Sequence, residues 1–114
     1  MGQILYEDFD KVDMRVGKII EAEDFPLARK PAYRLKVDFG PEIGIKKSSA
    51  QLTARYKKED LLEKKVIAVV NFLPKQVANF ISEVLVLGVS DSAGGIILLD
   101  LENTNDASIG SRVH

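Results

Sequence analysis

Residues 71–88, NFLPKQVANFISEVLVLG, decide how this chain reads. An apolar run ends at Asn71-Phe72, and a polar loop follows with Lys75, Gln76 and Asn79. Ser82-Glu83 then lead into a second apolar run, Val84 to Gly88. Two buried strands that meet at a loop rich in hydrogen-bonding groups suit a binding groove on a barrel better than a catalytic pocket.

Working outward, Val66 to Phe72 is apolar and β-branched, the expected centre of the core. Glu59 to Lys64 reads as a helical turn, and Ser48 to Tyr56 (SSAQLTARY) as a short helix. Ile43 to Lys47 is a third strand. Tyr33 to Phe39 alternates, with Tyr33, Leu35, Val37 and Phe39 on one face and Arg34, Lys36 and Asp38 on the other. Gly40-Pro41 makes a turn. Val12 to Asp24 is a long first strand, with Val12, Met14, Val16, Ile20 and Ala22 sharing one parity. Gly17 sits in its middle, where a residue without a side chain lets a strand bend. A long strand bent in this way can serve two halves of a small barrel. Ile4 to Phe9 makes an amphipathic turn, and Gly94-Gly95 closes a hairpin onto Ile96 to Leu101. Strands with one helical insert between the third and fourth, and no regular alternation of strand and helix, predict an all-β, five-stranded Greek-key barrel, the OB-fold, with residues 1–114 as one domain.

Composition narrows the chemistry. The 114 residues are 46% apolar, with no cysteine and a single histidine, the terminal His114. Zinc sites and Ser-His or Cys-His nucleophilic machinery therefore have no residues to build them. Ser48-Ser49 has no base beside it and reads as a helix N-cap. The acidic runs Glu21 to Asp24 and Glu59-Asp60 read as surface charge. The SAGG sequence lacks the lysine and the strand-to-helix context of a phosphate loop. No catalytic residue, metal or cofactor is expected, and the chain reads as a binding protein, not an enzyme. The acidic N-terminus has no signal-peptide core, and no apolar run reaches the ~20 residues that span a bilayer. The expectation is a cytoplasmic protein without membrane insertion.

Charge is unevenly spread. From Arg29 to Lys65 there are eleven Lys or Arg against five acids, while both ends are acidic. Arg34 and Lys36 share a strand face, roughly 7 Å apart. With Lys46 and Lys47 on the next strand, antiparallel pairing predicts one patch of four charges able to follow a phosphate backbone. Phe72 and Phe80 flank the basic loop. Phe72 reads as core, and Phe80 is a candidate for stacking a base.

These residues are familiar as a set. DFDKVDMRVGKIIEAEDFPLARKPAYRLKVDFGPEIGIKKSSAQLT followed by NFLPKQVANFISEVLVLG resembles the CsaA-type secretion chaperones. Those belong to the wider family of OB-fold tRNA-binding domains, found also at the C-terminus of methionyl-tRNA synthetases and in EMAP-II-like proteins. The resemblance runs from Asp8 to about Gly110. It implies binding without catalysis, in a groove lined by Asn71, Lys75, Gln76, Asn79, Ser82 and Glu83, beside the stacking candidate Phe80, and extended by Arg34, Lys36, Lys46 and Lys47. It implies a homodimer, unfolded export precursors and the export ATPase SecA as partners, and tRNA as the alternative ligand. Edge strands of a small open barrel need cover, and Ile4, Leu5 and Phe9 are the candidates to cross to a dimer partner. Leu73 stands where the family has a second proline, which predicts a slightly looser loop.

Overall fold

The computed structural model describes residues 1–114 and is organised by one long strand. β1 (Met14–Asp24) pairs antiparallel with β4 (Lys65–Val69) through its first half and with β2 (Tyr33–Asp38) through its second. β3 (Ile45–Ala50) pairs with β2, and a short β7 (Leu85–Val86) with β4. The sheet order is β3-β2-β1-β4-β7. Two small hairpins complete the strands: β5 (Lys75–Val77) with β6 (Phe80–Ser82), and β8 (Gly88–Ser90) with β9 (Ile96–Leu98). Helix is confined to α1 (Tyr6–Asp10), α2 (Lys58–Leu61) between β3 and β4, and a 3₁₀ turn at Thr104–Asp106. This is a nearly closed, all-β OB-fold barrel, and the order of its elements matches that expected from the sequence.

Alternation in β2 puts Tyr33, Leu35 and Val37 inside, where they meet Ile19, Phe39, Leu52, Leu61, Val66 and Ala68 in one core cluster. The Tyr33 hydroxyl donates to the Tyr56 carbonyl at 2.7 Å, so the tail of this aromatic is satisfied as its ring is buried.

The barrel closes at Ser82-Glu83-Val84, and side chains do much of the closing. The Glu83 N–H donates to the Lys47 carbonyl (2.8 Å), and Glu83 Oε1 accepts the Lys47 N–H (3.0 Å). Ser82 Oγ accepts the Ser49 N–H, and the buried Ser48 hydroxyl donates to the Val84 carbonyl, both at 3.0 Å. Side-chain oxygens thus take bonds that a strand would otherwise make along the edge of β3. Replacing Ser82 and Glu83 together by alanine leaves two edge amides without acceptors. The expected loss is about 1–2 kcal/mol of stability, with faster hydrogen exchange confined first to the Lys47 and Ser49 amides. Unchanged protection at those two amides would show that the clasp contributes nothing.

Three expectations need correction. Ser48 to Tyr56 is not a helix: Ser48, Ser49 and Ala50 continue β3, and only a turn with the Tyr56 N–H on the Leu52 carbonyl follows. The Ser48 hydroxyl finds its acceptor across the barrel seam, a tertiary partner that local propensity does not report. The segment between Asn71 and Ser82 is not simply a loop, because it folds back as β5–β6 with the positive-φ residue Ala78 (φ 53) at the two-residue turn. Finally, β1 does not keep one parity. Its register with β2 slips between Ile19 and Glu21, leaving Ile20 as the extra residue of a β-bulge. Ile19 is therefore fully buried, Ala22 packs against the core, and Ile20 falls outside the core cluster. Gly17 serves close packing against Phe39 and Val37.

Candidate ligand groove

The connection from β1 to β2 and the β5–β6 hairpin stand on the same side of the barrel. Between them lies a cleft of about 1050 Å³, lined by Arg29, Lys30, Gln51, Lys75, Gln76 and Ser82 among others. A second cleft of about 620 Å³ adjoins it and shares Lys75, Ser82, Val84 and Leu85. Its walls are Asn71, Phe72, Leu73 and Glu83. Leu73 is 91% exposed, Phe72 52% and Leu85 49%. The two clefts adjoin along these shared residues as a trough, with Arg29 and Lys30 at one end and Phe72 and Leu73 at the other. Phe72, read from sequence as core, lies at the apolar end.

The cations divide into two kinds. Arg29, Lys30 and Lys75 are exposed on the trough, and none has a carboxylate within ion-pair distance. On the sheet face Arg34, half-buried, and Lys36, exposed, are both paired, Arg34 with Glu23 at 3.2 Å and Lys36 with Glu21 at 3.4 Å. The expected patch of four is also split by register. Lys47 lies opposite Lys36 and shares its face, whereas Lys46 lies opposite Val37 and so belongs to the other side of the strand. From sequence, Arg29 and Lys30 enter only the count of basic residues from Arg29 to Lys65; the ARKP run of adjacent cations beside a proline is the signal that singles them out.

Aromatic rings link the sheet face to the hairpin. Phe80 meets Phe25 edge-on at 5.5 Å and 61°, the Arg34 guanidinium lies 5.6 Å from the Phe25 ring centre, and the Lys47 ammonium lies 5.4 Å from that of Phe80. Phe80 is half-buried with two of its approaches occupied. Gln76 Nε2 donates to the Ala78 carbonyl (3.1 Å), steadying the hairpin, and Asn79 is exposed at its tip. Ser82 and Glu83 reach the trough, but their side-chain oxygens also hold the seam of the barrel.

Asn71 is employed elsewhere. Its Oδ1 accepts the Asp13 N–H (2.9 Å) and its Nδ2 donates to the Lys11 carbonyl (2.7 Å), tying the approach to β1 down. Asp13 is also the acid of a clamp on both chain ends. Arg15 Nε donates to it at 2.6 Å, Arg15 Nη1 donates to the Gly110 carbonyl, and Arg112 Nη2 donates to the Asp10 carbonyl. The Arg15 hydrogen bond holds the Asp13 carboxyl below its ordinary value, so the clamp is intact at neutral pH and is lost only as pH falls through that lowered value. On α1, Ile4 and Leu5 are largely exposed just before the helix, and Phe9 is half-buried in a small cleft with Arg112, Val113 and His114. No three His, Cys, Asp or Glu side chains converge as metal ligands. No helix is long and apolar enough to cross a membrane.

The model of a putative tRNA binding domain matches residues 14–112. The chain belongs to that family. Two methionine–tRNA ligases illustrate the relationship. That of Methanocaldococcus jannaschii is 36% identical over 113 residues, covering 99% of this chain but 17% of the ligase. That of Bdellovibrio bacteriovorus is 40% identical over 112 residues, covering 98% and 16%. This tRNA-binding-type domain thus spans about one-sixth of those relatives, in which the matching region is a small part of a longer enzyme. Among solved structures, the CsaA chaperone protein from Picrophilus torridus shares 54% identity with a TM-score of 0.91, covering 98% of this chain and all of the other. The chaperone CsaA of Bacillus anthracis shares 47% at a TM-score of 0.91, covering 99% of this chain and 100% of that one. Full-length similarity of this kind to CsaA chaperones supports a non-catalytic binding module.

Proposed function

We propose that this chain is a homodimeric, non-enzymatic chaperone of the CsaA type, which holds extended, unfolded export precursors in the trough. The observation that carries this reading is that the two clefts adjoin, with Lys75, Ser82, Val84 and Leu85 lining both. An unfolded polypeptide presents apolar and polar side chains in succession, and the trough offers Phe72, Leu73 and Leu85 beside Lys75, Gln76 and Arg29. An apolar cleft is of little use to a phosphate backbone. Exposed Ile4 and Leu5, with Phe9 behind them, are the proposed dimer contacts, a cytoplasmic location suits the role, and SecA is the proposed receiver of the held precursor.

A second reading, a tRNA-binding module, is favoured by one specific observation: the three unpaired cations Arg29, Lys30 and Lys75 around a single cleft. Backbone phosphates would bind there with strong salt dependence and little regard for sequence.

Aggregation of a chemically denatured protein, followed by light scattering with stoichiometric dimer present, separates the readings. The parent chain is expected to suppress aggregation and to have twice the chain mass in solution. Phe72→Ser/Leu73→Ser should lose at least half of the protection while still folding, since both side chains are exposed. Absence of protection by the parent chain sinks the chaperone reading, and a monomeric mass sinks the dimer.

A further inference from the structure

On the outer face of β1, β2 and β3, Glu21, Glu23, Arg34, Lys36 and Lys47 are neighbours in an order set by register. Glu21 lies opposite Lys36 and Glu23 opposite Arg34. On the other side, Lys36 lies opposite Lys47 and Arg34 opposite Ser49. The pairs close at 3.4 Å for Lys36–Glu21 and 3.2 Å for Arg34–Glu23. Arg34 is held further by the Phe25 ring beneath its guanidinium; its Nη2 donates to Glu23 Oε2, while its Nε is buried with no hydrogen-bond partner. Between these groups and Phe80 is a hollow of about 210 Å³. The cations of the trough have no such acids. Two neighbouring basic surfaces therefore differ in one respect, which is whether carboxylates already occupy them.

We propose that Glu21 and Glu23 are specificity-determining residues that neutralise Arg34 and Lys36, excluding polyanions from the sheet face and confining them to the Arg29–Lys30–Lys75 end of the trough. This rests on the second reading, in which the basic end of the trough takes RNA, and deepens it. Exposed pairs like these add little to stability, so their effect falls on what binds. A phosphate can gain from a cation only by displacing its carboxylate, and each phosphate newly neutralised on a single strand adds about 0.7 to the slope of log affinity against log salt. Sharing a hydrogen bond with Glu21 raises the Glu23 carboxyl, while Glu21 is lowered by that bond and by Lys36. The other charged groups around Glu23 are Glu21 on its own strand, Arg34 and Lys36 on β2 and Lys47 on β3. On mild acidification the raised Glu23 is neutralised before the lowered Glu21, so Arg34 is the first cation released.

The test is fluorescence anisotropy of a labelled oligouridylate with the full chain, comparing the parent, Glu21→Gln/Glu23→Gln, and a control of equal charge change, Glu59→Gln/Glu102→Gln. The first variant should bind about tenfold more tightly at low salt, with a salt slope steeper by about 1.4, as for two added phosphates. Lowering the pH should tighten binding by the parent more than by that variant. An equal gain in the control would show net charge alone at work, and no gain would show that Arg34 and Lys36 are already available; either overturns the proposal. The trough reading fails separately, if parent binding is untouched by charge reversal at Lys75.

Discussion

Gly17→Val is expected to abolish folding, although valine is a far better strand former than glycine. Gly17 lies on β1 opposite Val66, at the crossing from one half of the sheet to the other. A Cβ built there would fall 2.6 Å from both Phe39 Cε1 and Val37 Cγ1. Neither neighbour has room to yield: Phe39 is 1% exposed and Val37 0%. Overpacking a close-packed core costs about 1–3 kcal/mol for each modest intrusion, and a small domain has only about 5–15 kcal/mol in total. Gly17→Ala should therefore lose about 2–3 kcal/mol in urea denaturation, and the two further methyl groups of valine should exhaust most of what remains. Propensity alone would predict the opposite sign, so an unchanged or raised midpoint for Gly17→Ala would show that the Phe39 ring can swing aside.

Charge reversal of the unpaired trough cations, Arg29→Glu/Lys30→Glu/Lys75→Glu, should weaken tRNA binding by a hundredfold or more at low salt. All three side chains are exposed and none makes an ion pair that folding would lose. Removing contacts to three phosphates should also flatten the salt slope by about 2 to 3. Lys46→Glu, on the other side of β3, should have a much smaller effect. Protection of an unfolded client should survive better than RNA binding, because Phe72, Leu73 and Leu85 remain in place. Undiminished tRNA binding by the triple variant would move the nucleic-acid surface away from this trough. Loss of both activities together would mean that the two ends act as one site.

The five-stranded barrel was legible because its signals are local. Tyr33 to Phe39 alternates residue by residue, and a strand exposes alternate side chains on opposite faces whatever surrounds it. Val66 to Val69 is apolar throughout and is buried on β4. The β5–β6 hairpin was harder, since its turn depends on Ala78 at positive φ, a conformation alanine does not advertise. Ser48 and Ser49 were misread for the same kind of reason. Serine near a predicted helix suggests a cap, and only the pairing with β2, Ser48 opposite Leu35 and Ser49 opposite Arg34, makes these residues part of a strand.

Register decides the charges. An unbroken pairing of β1 with β2 from Ile19–Val37 onward would put Glu21 opposite Leu35, facing the core. The bulge at Ile20 shifts each later partner by one, so Glu21 meets Lys36 and Glu23 meets Arg34 on the outside. A basic segment by count thus becomes a paired surface on the sheet and an unpaired one in the trough. The sequence by itself determined the main strands and the fold class, because those follow from periodicity and residue type along the chain. Only the tertiary structure decided which cations are free, which polar side chains close the barrel, and where apolar and basic clefts join. Each of these depends on residues far apart in sequence being placed to within a single step of register by the packing of the core.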